Sequence, residues 1–550
     1  MSHSRTLILD IETNTKHDNI WCCVTKDIYS GEVNVWTEVK NLRNYLRKDD
    51  KLVGHNIIGF DVPILNRQWN LKITLNQLVD TLVMSRLLNP SLEGGHSLKE
   101  WGKRLGNYKG DFTNFDGGLC DEMVEYCKQD VEVTHQLYSL LTNELKRWDQ
   151  RCIDLEHKVA HIIGRQERHG FKLDISKAIG LVADWKTMLS NIEERLQSVF
   201  PPVVVERYSD KTGKRLKDHI EVFNPGSRQQ IADRLISLGW NPKQHTEKGQ
   251  VKVDETILAG IDLPEAKSIA EYLLLQKRVA QVSSWIDAVS EDGRVHGKVI
   301  TNGAVTGRAT HHSPNMAQIP NMSSPWGKEC RECWIVDEGH KIVGIDLAQL
   351  ELRCLAHYMQ DQEYIKELLS GDIHTKNQQA AGLASRNQAK TFIFALCYGA
   401  GAEKIGSIVN GTKEEGQQLI NRFLANTPSL KALREKVERE SAKGFLPGLD
   451  GRKLQIRSQH SALNTLLQSA GAIVSKQWML ELYRLAKQKK IDYNQVAWVH
   501  DELQCEVREE YAEELGQLAV QAARNVTDIL KMRCPMDAEY RVGNNWADSH

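Results

Sequence analysis

The spacing of apolar and polar residues divides the chain into regions of different character. Residues 1–145 alternate strand-like and helix-like patterns, which is typical of an α/β domain. Residues 151–170 have the period of a long amphipathic helix, and further long helices are predicted near 174–199 and 263–287. A polar segment, 201–225, interrupts this helical region. The pattern therefore predicts an N-terminal α/β unit followed by a largely helical one.

Farther along the chain, two apolar strand-like runs each end in an aspartate. The runs are Lys341–Asp346 and Val496–Asp501, and about 150 residues separate their ends. Two carboxylates at neighbouring strand ends suit a pair of Mg²⁺ ions, which prefer oxygen ligands and, ~3.5–4 Å apart, serve both the attacking and the leaving oxygen of a phosphoryl transfer. Taken alone, the segment Val499–Glu502 is weak evidence for a site, because a buried histidine beside surface acids is the commoner interpretation of such a segment. The pair predicts a two-metal site only if the fold brings both ends together.

Between these runs lies a segment whose cationic and aromatic residues recur at every fourth position. Arg386, Lys390, Phe394 and Tyr398 fall on one helical face, and Gly399 can end the helix in the left-handed conformation. An ordinary amphipathic helix with a solvated basic end would give the same pattern. The functional interpretation is a face that offers two cations to phosphate oxygens and two rings to a sugar and a base.

Carboxylates also occur on and after the first strand-like run. Asp10 and Glu12 are two positions apart, so the period of a strand places them on one face. A core strand rarely carries two bare carboxylates unless a cation neutralises them. Asp61 follows another apolar run, and Tyr126 precedes Asp130 by one helical turn. Each acid alone could be a surface residue, but together they predict a second metal site.

These motifs occur in an order that resembles a known family. The segments 346–357, 386–399 and 499–502 resemble motifs A, B and C of family A, the DNA polymerase I family, and the N-terminal acids resemble the three motifs of the DEDDy 3′–5′ exonucleases. Segments 301–310 and 463–471 resemble further parts of family A. The likeness covers nearly the whole chain, and it is greatest to the replicative enzymes of T-odd, short-tailed phages.

The resemblance implies the fold class and the domains. The fold would be α/β and α+β multidomain, with a ribonuclease H-like exonuclease domain and a right-hand polymerase domain of palm, fingers and thumb. The implied boundaries are 1–145 for the exonuclease domain, 146–289 for the thumb with its connecting helix, 290–358 and 460–550 for the two parts of the palm, and 359–459 for the fingers.

The resemblance also implies roles at the polymerase site. Asp346 and Asp501 would hold two Mg²⁺ ions, and Lys390 would assist the departure of pyrophosphate as a general acid. Glu351 and Tyr398 would close the space beside the sugar 2′ carbon, which selects deoxynucleotides. The residues implied to bind the dNTP are Glu351, His374, Arg386, Lys390, Phe394 and Tyr398. The residues implied to bind DNA are Arg308 and Gln468, in the minor groove near the primer end, and His500, at the primer terminus.

Phe394 carries a prediction of its own. Some relatives have tyrosine at this position, and its hydroxyl could stand in for the missing 3′-hydroxyl of a dideoxynucleotide. Because phenylalanine has no such group, the sequence predicts strong discrimination against dideoxynucleotides.

At the N-terminal site the resemblance implies a second set of roles. Asp10, Glu12 and Asp130 would hold one metal ion, and Asp10 and Asp61 would hold another. Mg²⁺ is thus the expected cofactor of both sites, with two ions at each. Tyr126 and Glu12 would orient the water that attacks the terminal phosphodiester, and no covalent intermediate is needed. A mismatched 3′ end frays readily, so this activity would serve proofreading.

Composition excludes some classes of protein but does not identify the function. The 71 Lys and Arg balance 72 Asp and Glu, so a net charge of −1 gives no global sign of nucleic-acid binding. No apolar run reaches ~18 residues and the start lacks the apolar core of a signal peptide, so we expect a cytoplasmic protein, acting in an infected host cell if phage-encoded. The eleven cysteines are typical of reduced thiols, and Cys330 and Cys333 are more simply buried thiols than a zinc site. Asp80 is interpreted as structural.

The expected partners are primer–template DNA and dNTPs, with a replicative helicase as a candidate, and the expected state is a monomer. In the phage enzymes resembled here, a much longer thumb insertion binds host thioredoxin. Only the short basic segment 201–225 occupies this part of the chain, so thioredoxin is not expected as a partner. Lys277 and Arg278 would either grip duplex phosphates or form a solvated helix face.

Three alternatives stay open at this stage. A single-subunit RNA polymerase would share the palm and fingers, but Glu351 and the N-terminal exonuclease motifs argue against it. A repair polymerase would differ in processivity. A catalytically inactive DNA-binding protein is disfavoured because every implied metal ligand is present.

Overall fold

The N-terminal part of the chain forms a five-stranded sheet flanked by helices. A computed structural model describes residues 5–108, 110–209, 211–246 and 248–550. The first elements are β1 (Thr6–Thr13), β2 (Ile20–Asp27), β3 (Val33–Trp36), α1 (Val39–Tyr45), β4 (Lys51–Gly54), α2 (Asp61–Gln68), β5 (Leu78–Asp80), α3 (Thr81–Leu88), α4 (Leu98–Arg104) and α5 (Asp121–Leu145). The strand order is β3-β2-β1-β4-β5, with β1 antiparallel to β2 and parallel to β4.

The central strand β1 is covered on both faces, which explains its nearly continuous apolar run. Leu7 and Leu9 join one hydrophobic core, and Ile8 joins a second one that includes Val131 of α5. Because side chains alternate across a strand, Asp10 shares the face of Ile8 and is directed toward α5. The strand thus carries its carboxylates into the space between the sheet and this helix.

A largely helical region follows, as the sequence predicted. Its elements are α6 (Gln150–His169), β6 (Phe171–Leu173), α7 (Ile175–Val199), β7 (Val203–Val205), β8 (His219–Glu221), α8 (Arg228–Ser237), α9 (Glu255–Ala259) and α10 (Pro264–Asp287). The three long predicted helices are confirmed as α6, α7 and α10. The polar segment between α7 and α8 contains the small antiparallel hairpin of β7 and β8.

One interpretation of this helical region is wrong. Arg278 is buried, and its guanidinium donates to the carbonyl of Pro325 at 3.3 Å and to the side chain of Gln281 at 2.9 Å. Arg278 lies on the buried face of α10, and the carbonyl of Pro325 accepts a hydrogen bond from its guanidinium. Arg278 therefore cannot grip duplex phosphates from this position, whereas its neighbour Lys277 is exposed.

Two further groups of elements follow in the chain. The first consists of β9 (Arg294–Val295), β10 (Lys298–Ile300), β11 (Thr310–His312), α11 (Gly327–Glu332), β12 (Trp334–Ile335) and β13 (His340–Leu347). The second is mostly helical and consists of α12 (Leu350–Met359), α13 (Gln362–Ser370), α14 (Ile373–Ala381), α15 (Arg386–Cys397), α16 (Ala402–Ser407), α17 (Lys413–Asn426), α18 (Pro428–Ser441), β14 (Phe445–Pro447) and β15 (Lys453–Gln455). The helices of the second group enclose a separate hydrophobic core.

The last part of the chain returns to the first group. Its elements are α19 (Ala462–Lys489), β16 (Tyr493–Val499), β17 (Glu502–Arg508), α20 (Ala512–Ile529) and β18 (Ala538–Gly543). A four-stranded antiparallel sheet in the order β16-β17-β13-β18 joins strands that are far apart in sequence. The long helix α19 packs beside this sheet and contributes Trp478 and other buried residues to its core.

A buried cluster of charges joins three of these parts. Glu156 of α6 accepts from Arg452, between β14 and β15, at 2.7 Å and from Lys476 of α19 at 2.6 Å. Asn302 lies 3.5 Å from Arg452 and donates to the carbonyl of Arg86 in the N-terminal part at 2.9 Å. Opposite charges pair here because a buried charge without a partner is costly.

Among the helices in the described ranges, none combines the length and apolar character that a membrane span needs.

Candidate active sites

The four-stranded sheet brings the two distant aspartates together. Asp346 of β13 stands opposite Glu502 of β17, and the amide of Leu347 donates to the carbonyl of Asp501 at 3.1 Å. Asp501 lies in the tight turn between β16 and β17. Two aspartates that are about 150 residues apart in sequence thus lie at the ends of adjacent strands.

Burial and nearby carboxylates raise the proton affinity of both aspartates. The protein packed around Asp346 and the charge of Asp501 raise the pKa of Asp346 to about 7, although its side chain opens to solvent. Burial and the charge of Glu351 raise the pKa of Asp501 to about 6. Crowded carboxylates with raised pKa values are stabilised as anions when a cation binds between them.

The turn that carries Asp501 is fixed from behind. His500 has a φ of 58°, in the left-handed region that is costly for a residue with a side chain. Its carbonyl accepts from Ser475 Oγ at 2.8 Å and from the indole nitrogen of Trp498 at 3.1 Å. Ser475 is fully buried on α19. Helix α19 therefore holds the strained turn in place.

Glu502, the acid next to Asp501, is engaged elsewhere. Its carboxylate accepts from the indole of Trp546 and from the amide of Gln504, both at 2.6 Å, and Arg331 lies 3.5 Å away. Trp546 belongs to the C-terminal segment and is buried. Glu502 thus fixes the C-terminal segment against the sheet.

The predicted cationic helix is present as α15. Ser385 caps its N-terminus in a capping box with Gln388, and Gly399 follows its end with a φ of 77°. Arg386 begins the helix, is exposed, and donates to Asp372 at 2.8 Å. Lys390, one turn later, is also exposed. The basic end of the helix is accessible to a ligand.

The next residues of this face turn toward the protein. Phe394 is half-buried, and its ring centroid lies 6.4 Å from that of His374 on α14. His374 is buried, and its Nδ1 has no hydrogen-bond partner within the described ranges. Burial and the nearby Arg386 lower the pKa of His374. An unsatisfied buried nitrogen beside two cations is compatible with an anionic ligand.

The C-terminal end of α15 meets the sheet region through polar contacts. Tyr398 donates its hydroxyl to Glu351 of α12 at 2.8 Å. Arg308 lies 3.9 Å from Glu351, and its guanidinium lies 5.9 Å from the Tyr398 ring centroid. These three side chains come from three separate segments. A cavity beside them is lined by Arg308, Ala309, Leu350, Glu351, Gly471, Ala472, Trp498, His500 and Asp501.

Of the three residues predicted to bind DNA, Gln468 is the one that does not line this cavity. It is half-buried on α19, and its side chain donates to Asn464 one turn earlier at 2.7 Å. It does not line the cavity that contains Arg308 and His500. Gln468 is nevertheless on the helix that holds the turn at His500.

The N-terminal acids also converge. Asp61 begins α2 and is buried, and its Oδ1 accepts from the amide of Ile11, between Asp10 and Glu12, at 3.2 Å. Burial raises the pKa of Asp61 to about 7, with the charges of Asp80 and then Asp130 as lesser causes. One strand, β1, and two helices, α2 and α5, therefore direct carboxylates into one space.

Asp80 supports this arrangement without joining it. Its carboxylate accepts from the amides of Asn56 and Ile58 at 3.0 and 3.1 Å and also caps α3. These bonds hold the loop that leads to Asp61. The structural interpretation of Asp80 is confirmed.

Sequence reasoning missed an aromatic cluster at this site. The ring centroids of Phe112 and Phe115 lie 5.8 and 6.2 Å from that of Tyr126, and 5.1 Å from each other. The loop that carries them is tied down because the indole of Trp21 donates to the carbonyl of Phe115 at 2.8 Å. Burial and the charge of Asp130 raise the pKa of Tyr126, so its hydroxyl stays protonated. Two phenylalanines close together in a polar segment were the only available signal.

Cys127 was also missed. One ligand atom each from Asp10, Glu12 and Cys127 lie within 4.8 Å of one another. The residue follows Tyr126 directly, and nothing in a single cysteine on a helix distinguishes it from a core thiol.

Comparison with known proteins matches both halves of the chain. The model of "DNA polymerase family A" matches residues 204–548, and the model of a "3′-5′ exonuclease" matches residues 4–146. A DNA-directed DNA polymerase of Enterobacteria phage T3 is 34% identical over 99% of this chain and 100% of its own length. One of Escherichia phage T7 is 35% identical over 91% of this chain and 92% of its own length.

A solved structure resembles the fold throughout. It is the polymerase domain of Pol1 from M. smegmatis in complex with DNA primer-template and dNTP, with a TM-score of 0.82 and 18% identity. The likeness covers 100% of this chain and 96% of the other. The alignment with the phage T3 protein spans 705 positions, so at least 155 of them have no counterpart among the 550 residues of this chain.

Proposed function

The chain belongs to family A of the DNA polymerases, and from this membership we propose which residues carry out its reactions. It is a DNA-directed DNA polymerase with a 3′–5′ exonuclease domain, close to phage replicative polymerases. The observation that carries the assignment is the pairing of β13 with β17, which makes Asp346 and Asp501 neighbours. The proposed domains keep the boundaries given by the sequence.

Polymerisation takes place between Asp346 and Asp501. The enzymes of this family use divalent metals, and the oxygen-only donors here fit Mg²⁺, two ions of which we assign to these aspartates. Bound there, the ions would activate the primer 3′-hydroxyl and stabilise the charge of the leaving pyrophosphate. The raised pKa values of both aspartates support this assignment, since carboxylates crowded together need a cation to stay ionised.

The incoming triphosphate binds at the basic end of α15. Arg386 exchanges its exposed partner Asp372 for phosphate oxygens, which form stronger charge-assisted bonds. Lys390 lies one turn closer to the sheet and protonates the leaving group, and His374 adds a contact through its buried imidazole. The helix rotates with the bound nucleotide, so closure precedes chemistry.

Selection of the sugar depends on the contact between Tyr398 and Glu351. Their 2.8 Å hydrogen bond already occupies the Glu351 carboxylate. A ribonucleotide would bring its 2′-hydroxyl against this pair and leave a polar group without a partner, which costs binding. Phe394 lies beside the sugar and offers no hydroxyl.

Three residues contact the DNA near the primer end. Arg308 and Gln468 bind minor-groove acceptors that every correct base pair presents, and His500 supports the primer terminus. Arg308 and His500 line the cavity that also contains Asp501, which supports the assignment.

The exonuclease site lies between β1 and α5. Asp10, Glu12 and Asp130 hold one cation, and Asp10 with Asp61 holds a second. Tyr126 and Glu12 orient the attacking water, and the protonated Tyr126 hydroxyl can donate to it or to the phosphate. The rings of Phe112 and Phe115 give unpaired terminal bases a surface on which to stack.

The partners follow from the same comparison. Primer–template DNA and dNTPs are the substrates, as in the bound structure that this fold resembles. The chain lacks at least 155 aligned positions of its phage T3 relative, and its segment 201–225 is a short hairpin, so we infer that it works without thioredoxin. A replicative helicase stays a candidate partner, and a monomer is the proposed state.

Two variants and one labelled primer–template test these assignments. Asp501→Ala should abolish extension and retain degradation of the primer, and Asp10→Ala should do the reverse. If Asp501→Ala extended the primer normally, the polymerase site would lie elsewhere. Offering ribonucleotides and deoxynucleotides to the wild type separates the DNA polymerase from an RNA polymerase.

A further inference from the structure

The exonuclease site contains a sulfur atom among its carboxylates. Cys127 of α5 is fully buried, and its Sγ lies 3.4 Å from Oδ2 of Asp10, in the geometry of an S–H donor. Its sulfur and one oxygen each of Asp10 and Glu12 lie within 4.8 Å of one another. The thiol is therefore in contact with an acid that we assign to both cations.

The surroundings of Cys127 show which way its hydrogen is directed. Ile8 and Val131 pack around it, as they would around any small apolar residue. Cys22 of β2 belongs to the same cluster and is a second neighbour within hydrogen-bond reach. A thiol has one hydrogen and a carboxylate is a stronger acceptor than a second thiol, so Cys127 donates to Asp10.

The thiol form is the one that can donate. An ordinary thiol is mostly protonated at neutral pH, and the Sγ of Cys127 lies at donor distance from Oδ2 of Asp10. Mg²⁺ prefers oxygen ligands to sulfur, so we expect the carboxylates, and not the Cys127 sulfur, to bind that ion.

We propose that Cys127 is a positioning residue of the exonuclease, which holds the Asp10 carboxylate in the orientation that binds a divalent cation. This inference rests on the proposed role of Asp10 as a ligand of both cations. Hydrogen-bonding groups that orient a metal ligand typically change metal affinity by about 10–100-fold when removed. A thiol is a weak donor, so we expect an effect of about tenfold, at the lower end.

The test compares two substitutions by the binding of Mn²⁺, read from the electron paramagnetic resonance of the free ion. Both are made in an Asp501→Ala background, which removes binding at the polymerase site. Cys127→Ser keeps a donor, and Cys127→Val fills the space without one. We expect Cys127→Ser to bind Mn²⁺ within about threefold of the parent and Cys127→Val to bind it about tenfold more weakly.

The remaining outcomes discriminate between the possibilities. Equal Mn²⁺ affinity of the parent and Cys127→Val would overturn the positioning role, and so would an equal loss in both variants, which would indicate packing alone. Asp10→Ala in the same background tests the proposed metal site itself. If it left Mn²⁺ binding unchanged, the assignment of Asp10 would fail, whatever Cys127 does. Normal extension by Cys127→Val with Asp501 intact shows that this variant folds.

A spectroscopic measurement tests the same bond without a destabilising variant. The S–H stretching band of Cys127 is identified as the difference between the Raman spectra of the wild type and Cys127→Ser. Binding of Mg²⁺ withdraws electron density from Asp10 and should weaken the hydrogen bond, which moves the band to higher frequency. A band that stays unchanged at saturating Mg²⁺ would refute the proposal.

Discussion

The turn that carries Asp501 depends on one buried serine, and removing that serine should slow polymerisation. Ser475 Oγ donates to the carbonyl of His500 at 2.8 Å and accepts from the indole of Trp498 at 2.9 Å. The left-handed conformation of His500 costs about 1–2 kcal/mol relative to relaxed backbone. Ser475→Ala therefore weakens the anchor that holds this conformation.

The size of the effect follows from the contacts. Removing one partner of a buried polar group costs about 1–3 kcal/mol. The indole of Trp498 also donates to the His500 carbonyl, at 3.1 Å, so we expect the lower part of that range. Such a loss equals the strain at His500, so the turn would relax for much of the time and displace Asp501. Since about 1.4 kcal/mol is a factor of ten in rate, the maximal rate of extension should fall by about 3–10-fold.

The assay measures single-nucleotide extension by rapid quench and degradation of single-stranded DNA by the same preparation. Ser469→Ala is the matched control, because Ser469 is equally buried on α19 and its Oγ has no hydrogen-bond partner in the described part of the chain. We expect Ser475→Ala to slow extension only, and Ser469→Ala to change neither activity. Equal effects of the two variants, or an equal loss of both activities in Ser475→Ala, would refute the reasoning.

Three other measurements test separate parts of the structure. A carboxyl whose pKa is raised by folding stabilises the native state at low pH, and this stabilisation is lost as pH rises through the raised value, about 7 for Asp346. Because the loss begins at the ordinary pKa of about 3.8, Asp346→Asn should raise the melting temperature of the metal-free protein more at pH 8 than at pH 5; a lower value at pH 8 would contradict this. Phe394→Tyr should bring dideoxynucleotide incorporation toward that of dNTPs in a competition assay, whereas equal incorporation by the wild type would disprove the prediction. Glu156→Gln should cost about 3–5 kcal/mol, seen as a lower melting temperature, because it leaves buried cations unpaired; the added change Lys476→Met should recover part of the loss, and no loss in the single variant would show that the cluster is not stabilising.

Local sequence patterns were sufficient to predict the helices and strands that carry the sites. The helix α15 has the predicted face, and Gly399 follows its end as expected, because caps and periodicity act within a few residues. The shared face of Asp10 and Glu12 follows from the period of a strand. In these cases the determining interactions lie within one turn or one strand, and the sequence contains all of them.

Such local patterns could not predict the contacts between distant segments. Arg278 has the appearance of a surface cation, yet it is buried against Pro325, and Glu502 bonds to Trp546 of the C-terminal segment. The thiol of Cys127 meets Asp10 because α5 packs on β1. Which side chain a residue meets across a packed interface depends on the geometry of both elements together.

By itself, the order of motifs determined the family and the two kinds of chemistry, and it predicted the residues that perform them. Only the tertiary structure decided that Asp346 and Asp501 share one pair of strands, that α19 holds the strained turn beside them, and that a thiol lies among the exonuclease acids. The reason is physical: residue type fixes what a side chain can bind, whereas the packing of helices and sheets fixes which groups come within bonding distance.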